Sequence, residues 1–315
     1  MSSKKETELG RERSDFSVSP DGGLVAYLDK SSVAERLVIG NALTGDLLEL
    51  PVAENWWSLA DWANNHELII QLAGDHFPHP EILFDPFTKS TSSLPDDFPD
   101  QQQLLESSTT RLPAPAYDPT MDYVVYPAAH GDEFGLALLR RSTNRRIAFF
   151  PNQTFVDLVT APPQWNHAGT EFIFNSTPLQ DTDPSVQYTD ELHLGSLDGS
   201  AKQLTKLSTQ VERYNIGYML WSPDDRYVAF MVWADFTPKL MLLDTRDREI
   251  LDVCINAGVS YPQDMVWAPD STQLLVANQN DTTILTLVDL SNLQAGTLPT
   301  KAHYYLILGW SAPAH

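Results

Sequence analysis

A short apolar run, a polar turn and a second apolar run recur along this chain. The clearest copy spans 219–230 and centres on Trp221-Ser222-Pro223-Asp224. Val266-Trp267-Ala268-Pro269-Asp270-Ser271 repeats it before Leu274-Leu275-Val276-Ala277, and Phe16-Ser17-Val18-Ser19-Pro20-Asp21-Gly22 does so before Leu24-Val25-Ala26-Tyr27. With the proline position as anchor, the register runs through Pro20, Asn64, Pro119, His167, Pro223, Pro269 and Ala312, at spacings of 44, 55, 48, 56, 46 and 43 residues. Two residues before each anchor stand Val18, Trp62, Tyr117, Trp165, Trp221, Trp267 and Trp310, so six of the seven are aromatic. A repeat of this period decides the fold before any local propensity does.

Each unit carries the same four short strands. The first ends at the aromatic position. Ser/Asn-Pro-Asp-Gly chemistry turns the chain, because proline presets φ and Asp or Asn caps the turn. Second strands of β-branched and aromatic residues are expected over 24–28, 67–72, 123–126, 171–175, 227–233 and 273–277. Third strands are expected over 37–40, 81–85, 135–140, 191–196, 239–244 and 283–289, several ending in Asp. Fourth strands close the units over 46–50, 91–94, 146–150, 202–205, 249–253 and 296–298. No stretch of ten residues shows a helical period; the nearest, 101–107, is short. The expected fold class is all-β, a β-propeller of four-stranded blades, because one such sheet cannot bury both faces alone and stacked sheets can.

The turns Trp221-Ser222-Pro223-Asp224, Trp267-Ala268-Pro269-Asp270 and Val18-Ser19-Pro20-Asp21-Gly22, each followed by an apolar strand, resemble the WD40-like (PD40) repeats of TolB-type propellers. The resemblance covers residues 14–311. Trp62-Ala63-Asn64-Asn65 and Trp165-Asn166-His167-Ala168-Gly169 keep the frame without the proline. The resemblance implies a propeller of a family that includes cell-envelope scaffold proteins and the propeller caps of prolyl-oligopeptidase-type enzymes. The expected organisation is a polar segment 1–13, then blades over about 14–50, 56–94, 114–150, 161–205, 217–253 and 264–298, with an extra strand over 306–311. Six blades are the first expectation. A seventh assembled from that strand and the N-terminal residues is the alternative, and a natural chain that continues further is a third.

Composition narrows the function classes. With 42 acidic and 20 basic residues the formal charge is −22. Such a surface repels phosphate backbones and anionic lipid, which argues against nucleic-acid partners and favours a basic protein or peptide segment. No run approaches the roughly 18 apolar residues of a membrane span, and residues 1–13 hold no apolar signal core. As written the chain reads as cytoplasmic; with a leader removed it would be periplasmic or extracellular. Cys254 is the only cysteine, so no intrachain disulfide forms, and its plain reading is a small core residue. Asn152, Asn175 and Asn280 each begin an Asn-x-Thr pattern of the glycosylation type, best read as chance.

Strand polarity locates a site. Turns between strands one and two, and between three and four, fall on one face of a four-stranded meander. Loops between strands two and three, and those leading to the next blade, fall on the other. That loop face carries the longer segments, where binding usually sits. Trp56, Trp57, His76, Phe77, His79, His130, Tyr214, Trp233 and Tyr261 are its candidate partner-binding residues, with packing against blade edges as the structural alternative. His76 and His79 form a weak metal pair with His130 as a conceivable third ligand, short of a zinc site. Asp181 and Asp183 lack the downstream spacing of a calcium loop. Aspartates elsewhere, such as Asp224 and Asp225, read as solvated turn residues. No nucleophile elbow, phosphate loop or dinucleotide fingerprint occurs, and no cofactor is expected. The leading expectation is a noncatalytic module that binds a protein or peptide through its loop face and channel mouth, within a larger assembly or alone. The alternative is a propeller enzyme, or a small-ligand or metal binder, with its site at the channel mouth.

Overall fold

A computed structural model describes residues 13–19, 23–29, 35–41, 44–73, 81–93, 115–131, 133–151, 162–176, 190–207, 214–234, 237–255, 265–279 and 283–298. Among these, six four-stranded antiparallel sheets form the blades of a β-propeller. The first holds β1 (Arg13–Val18), β2 (Leu24–Asp29), β3 (Arg36–Asn41) and β4 (Leu47–Pro51), and the second β5 (Trp56–Trp62), β6 (Leu68–Leu72), β7 (Glu81–Asp85) and β8 (Ser90–Ser93). The third holds β9 (Ala116–Tyr117), β10 (Tyr123–His130), β11 (Glu133–Arg140) and β12 (Arg145–Pro151). The fourth holds β13 (Gln164–Trp165), β14 (Glu171–Ser176), β15 (Glu191–Ser196) and β16 (Ala201–Gln203). The fifth holds β17 (Tyr214–Trp221), β18 (Tyr227–Ala234), β19 (Thr237–Asp244) and β20 (Glu249–Ile255), and the sixth β21 (Met265–Trp267), β22 (Gln273–Gln279), β23 (Thr283–Asp289) and β24 (Gln294–Leu298). Every sheet is a simple meander in sequence order. The first two sheets belong to one compact unit and the other four to a second. The strand expected over 306–311, and with it the seventh-blade alternative, lies outside the described residues.

The middle strands are buried on both faces. Val124, Val125 and Tyr126 of β10, and Leu136, Ala137, Leu138 and Leu139 of β11, are consecutive buried residues. That is the pattern of a strand covered on each side by a neighbouring layer. The fourth strands are edges and read accordingly. Ser90-Thr91-Ser92-Ser93 of β8 and Ala201-Lys202-Gln203 of β16 put polar side chains where an open ladder would otherwise invite pairing. In the first unit one core joins Leu28, Leu37 and Ile39 to Leu59, Trp62, Leu68 and Ile70. In the second, Ile173, Leu192 and Leu194 pack against Ile216, Trp221, Val228 and Phe230 between sheets four and five. Met231, Leu240 and Leu242 meet Trp267, Leu274 and Val276 between sheets five and six.

The repeated turn has one hydrogen-bond plan. The residue before the anchor donates its N–H across the turn at 2.8–3.0 Å in every sheet: Ser19 to Leu24 O, Ala63 to Glu67 O, Asp118 to Tyr123 O, Asn166 to Glu171 O, Ser222 to Tyr227 O and Ala268 to Gln273 O. In four sheets its side chain accepts a bond in return. Ser19 Oγ accepts from Leu24 N–H at 2.9 Å, Asp118 Oδ1 from Tyr123 at 2.6 Å, Asn166 Oδ1 from Glu171 at 3.1 Å and Ser222 Oγ from Tyr227 at 2.8 Å. In the second sheet Asn64, one position on, accepts from Glu67 N–H at 2.9 Å. Ala268 cannot accept. Ala268→Ser should therefore supply the missing acceptor for Gln273 N–H and raise stability by about 0.5–1.5 kcal/mol. Urea denaturation at fixed pH measures it, and a variant no more stable than the parent contradicts the assignment.

In four sheets the tryptophan two before the anchor ties its sheet to the one before it. Its indole N–H donates to the main-chain carbonyl beside the preceding sheet's own aromatic position: Trp62 to Ser17 O at 3.1 Å, Trp165 to Ala116 O at 2.9 Å, Trp221 to Gln164 O at 3.0 Å and Trp267 to Leu220 O at 3.2 Å. Tryptophan suits this place because it fills the gap between sheets and still brings a donor to a carbonyl the ladder leaves over.

Two turn positions are left-handed, one in four of the sheets and the other in five. Three residues past the start of the first turn, φ is +61° at Met121, +66° at Gly169, +56° at Asp225 and +61° at Ser271. Four residues past the end of the third strand, it is +75° at Gly45, +59° at Lys89, +46° at Asn144, +57° at Arg248 and +53° at Leu293. A side chain with Cβ is strained there. Leu293 is also 52% exposed, so little burial offsets the strain. Leu293→Gly is expected to stabilise the protein by about 0.5–1 kcal/mol after the extra freedom of glycine in the unfolded chain is discounted; thermal melting measures it, and a lower Tm than wild type contradicts it.

Candidate functional site

The turn face is occupied by its own bonds. The aspartates that end the third strands cap the following turns: Asp85 Oδ1 accepts from Phe87 N–H at 2.8 Å, Asp244 Oδ1 from Arg246 N–H at 3.0 Å and Asp289 Oδ1 from Ser291 N–H at 2.9 Å. Asp244, 5% exposed, also takes two bonds from the Arg226 guanidinium at 2.9 and 2.7 Å. Burial pushes its carboxyl up, yet these donors outweigh it and hold the pKa below the ordinary value. Asp224 is exposed, as expected from sequence, and Asp225 is half-buried, but both are engaged in hydrogen bonds. Asp224 Oδ1 accepts from Ser222 Oγ at 2.6 Å and from Arg226 N–H at 3.2 Å. Asp225 reaches the fourth sheet's turn, accepting from His167 N–H at 2.7 Å, His167 Nδ1 at 2.8 Å and Ala168 N–H at 2.9 Å. Ser271 Oγ, at the equivalent left-handed position of the sixth sheet, accepts from Asp224 N–H at 3.0 Å. The strained turn residue thus carries the side chain that clasps the preceding turn.

The opposite ends of the sheets hold the candidates named from sequence. Trp56 and Trp57, expected in a connecting loop, lie in β5. The Trp56 ring is half-buried in the first unit's core, edge-on to Phe84 with centroids 4.8 Å apart. Tyr214, expected in a loop, belongs to β17, and Trp233, expected where the second strand 227–233 meets its loop, belongs to β18, because pairing of those strands continues to Tyr214 opposite Ala234. Trp233 stands opposite Asn215 and Pro238, is 37% exposed and lies over Gly217, where an added Cβ would sit 3.4 Å from its Nε1. His130 ends β10 and is exposed. Its ring lies 5.4 Å from that of Phe149, and its Nδ1 is 3.2 Å from Arg146 Nη2. A guanidinium can only donate, so in this contact Nδ1 is the acceptor. That arrangement does not offer His130 Nδ1 to a metal. Among the described residues no group of three His, Cys, Asp or Glu side chains is placed to hold an ion. His76, Phe77, His79 and Tyr261, and the Asp181 and Asp183 pair, lie outside the described residues. The structure therefore brings Tyr214 and Trp233 onto adjacent strands and leaves Trp56 and His130 on other sheets.

Sequence reasoning passed over a polar group beneath this end of sheets four and five. Asp190, immediately before β15, is 2% exposed. Its Oδ2 accepts from Asn175 Nδ2 of β14 at 3.0 Å and from Ile216 N–H of β17 at 3.3 Å, while its Oδ1 has no partner among the described residues. Burial, and after it the nearby Glu191 charge, pushes the carboxyl up to about 6 against the pull of those two bonds. Glu191 is fully buried and accepts from Leu207 N–H at 2.9 Å and from the Thr205 hydroxyl. His193, 1% exposed, stacks on Phe174 at 5.4 Å and its Nδ1 contacts Glu191 O at 3.1 Å. Burial holds the His193 pKa below its ordinary value. The signal was available: Asp190-Glu191 opens an apolar strand and Asn175 sits inside another. Asn175 is 2% exposed and bonded to Asp190, so it is not a glycosylation acceptor in this fold.

No protein-family model and no curated protein matches the sequence. Solved structures do match it. TolB from Acinetobacter baumannii superposes with a TM-score of 0.55 at 14% identity, over 89% of this chain and 64% of that one. The fold is a β-propeller, as in that TolB. The propeller domain of the Trilobed protease from Pyrococcus furiosus matches at 0.56 and 12% identity, over 92% of this chain and 85% of that one. An oligogalacturonate lyase in complex with manganese matches at 0.57 and 10% identity, over 90% and 75%. Identities this low carry the propeller fold and not an activity. The propeller described here spans 64% of the length of that TolB chain.

Proposed function

We propose that this propeller is a noncatalytic interaction module that binds a protein or peptide segment through its loop face. The division of labour between the two faces carries the reading. On the turn face, Asp85, Asp224, Asp225, Asp244 and Asp289 are engaged in capping turns and clasping neighbours. The exposed apolar residues there, Leu47, Phe87 and Leu293, stand on three different sheets. Single exposed apolar side chains of that kind need no partner. On the loop face, Trp233 presents an exposed ring at a strand end, a residue type favoured in binding surfaces. The charge of −22 suits a basic partner segment,.

Capture from native extract with immobilised wild type, Trp233→Ala and Ala268→Ser tests the reading. A partner held by wild type and Ala268→Ser and lost by Trp233→Ala is expected, with weaker retention as salt rises. No protein above background, or equal retention by all three, would count against it.

A further inference from the structure

We propose that Asp190 is a pH-sensitive tie between the fourth and fifth sheets, tightening as the medium passes from neutral to mildly acidic. The tie is independent of the partner-binding reading. One carboxylate oxygen joins the two sheets through Asn175 Nδ2 and Ile216 N–H, and the other is buried with no donor among the described residues. An ionised carboxylate in that position lacks the solvation its charge requires, and only part of the deficit is made up by two donors. A proton on Oδ1 removes the charge, leaves Oδ2 free to keep both bonds, and turns the unpartnered oxygen into a neutral hydroxyl. Among the described residues, the titratable groups on the elements around it are Glu171 of β14, Glu191 and His193 of β15, Lys202 of β16, Lys206 beyond it, and Tyr214 and Tyr218 of β17. Glu191 acts on Asp190 directly, by repulsion that favours the protonated form. His193 alternates to the other face of β15 and stacks on Phe174, within the third-to-fourth sheet contact.

The sign follows from the raised pKa. Ionised Asp190 weighs against the closed state fully above about pH 6, and the penalty is relieved as pH falls from there toward the ordinary value of 3.8,. Buried His193 has the opposite sense, since charging it in acid opposes folding. A local readout is therefore needed. Amide hydrogen exchange of the full chain, corrected for the intrinsic rate, is compared at about pH 5 and about pH 7.5 at Ile216, with Val276 of β22 as a distant reference. In wild type, protection of Ile216 relative to Val276 should be on the order of 10-fold higher at the acidic pH. In Asp190→Asn the ratio should be flat. Equal pH dependence in the two proteins overturns the proposal. Should Asp190→Asn fail to fold, wild type alone still decides, because a ratio that is flat or rises with pH overturns it equally.

Discussion

Trp221→Ala is expected to lower stability by roughly 3–5 kcal/mol, and Trp221→Phe by roughly 1–3 kcal/mol. Trp221 is 4% exposed in the core between sheets four and five, so truncation to alanine opens a cavity the size of an indole. Phenylalanine keeps most of the apolar contact and deletes the donor to Gln164 O. That carbonyl then loses its partner in a place water enters poorly. Urea denaturation of both variants separates the packing part from the hydrogen-bond part. A phenylalanine variant as stable as wild type would mean that the indole bond contributes nothing, and that the four equivalent bonds are incidental to packing.

Asp225→Ala should cost roughly 1–3 kcal/mol, which is large for a turn residue on the surface. It removes the acceptor for His167 N–H, His167 Nδ1 and Ala168 N–H and keeps the left-handed backbone strain. Asp225→Gly removes the same bonds but relieves the strain, by roughly 1 kcal/mol. The glycine variant should therefore be the more stable of the two, and both less stable than wild type. Denaturation midpoints at neutral pH give the order. If glycine exceeded wild type, the clasp on the fourth sheet's turn would be worth less than the strain it maintains, and the inter-sheet role of Asp225 would fall.

The fold was legible because its signal is periodic. Alternating apolar strands around an aromatic and a Ser-Pro-Asp turn placed third strands at 81–85, 191–196 and 283–289, the bounds of β7, β15 and β23. The resemblance to PD40 repeats pointed the same way. Strand ends near the loop face were less legible. Tyr214 and Trp56 read as loop aromatics and Trp233 as the junction of a strand with its loop, yet main-chain pairing takes in all three. The turn clasp was not legible at all. Met121, Asp225 and Ser271 share a left-handed φ that their side chains do not advertise, and the bonds of Asp225 reach residues 57 and 58 positions away. Asp190 was hidden for a related reason. Its cost is set by burial against Ile216 of another sheet, and no local spacing encodes that contact.

The central claim is that the two faces do different work: the turn face holds the sheets together and the loop face receives a partner. Hydrogen-exchange footprinting of the full chain, with and without a captured partner, tests it most directly. New protection at amides near Tyr214–Ile216, Trp233 and His130 is the predicted result, with the turn amides of Tyr123, Glu171 and Tyr227 unchanged. New protection confined to those turn amides, with the loop-face strand ends unaffected, would contradict it.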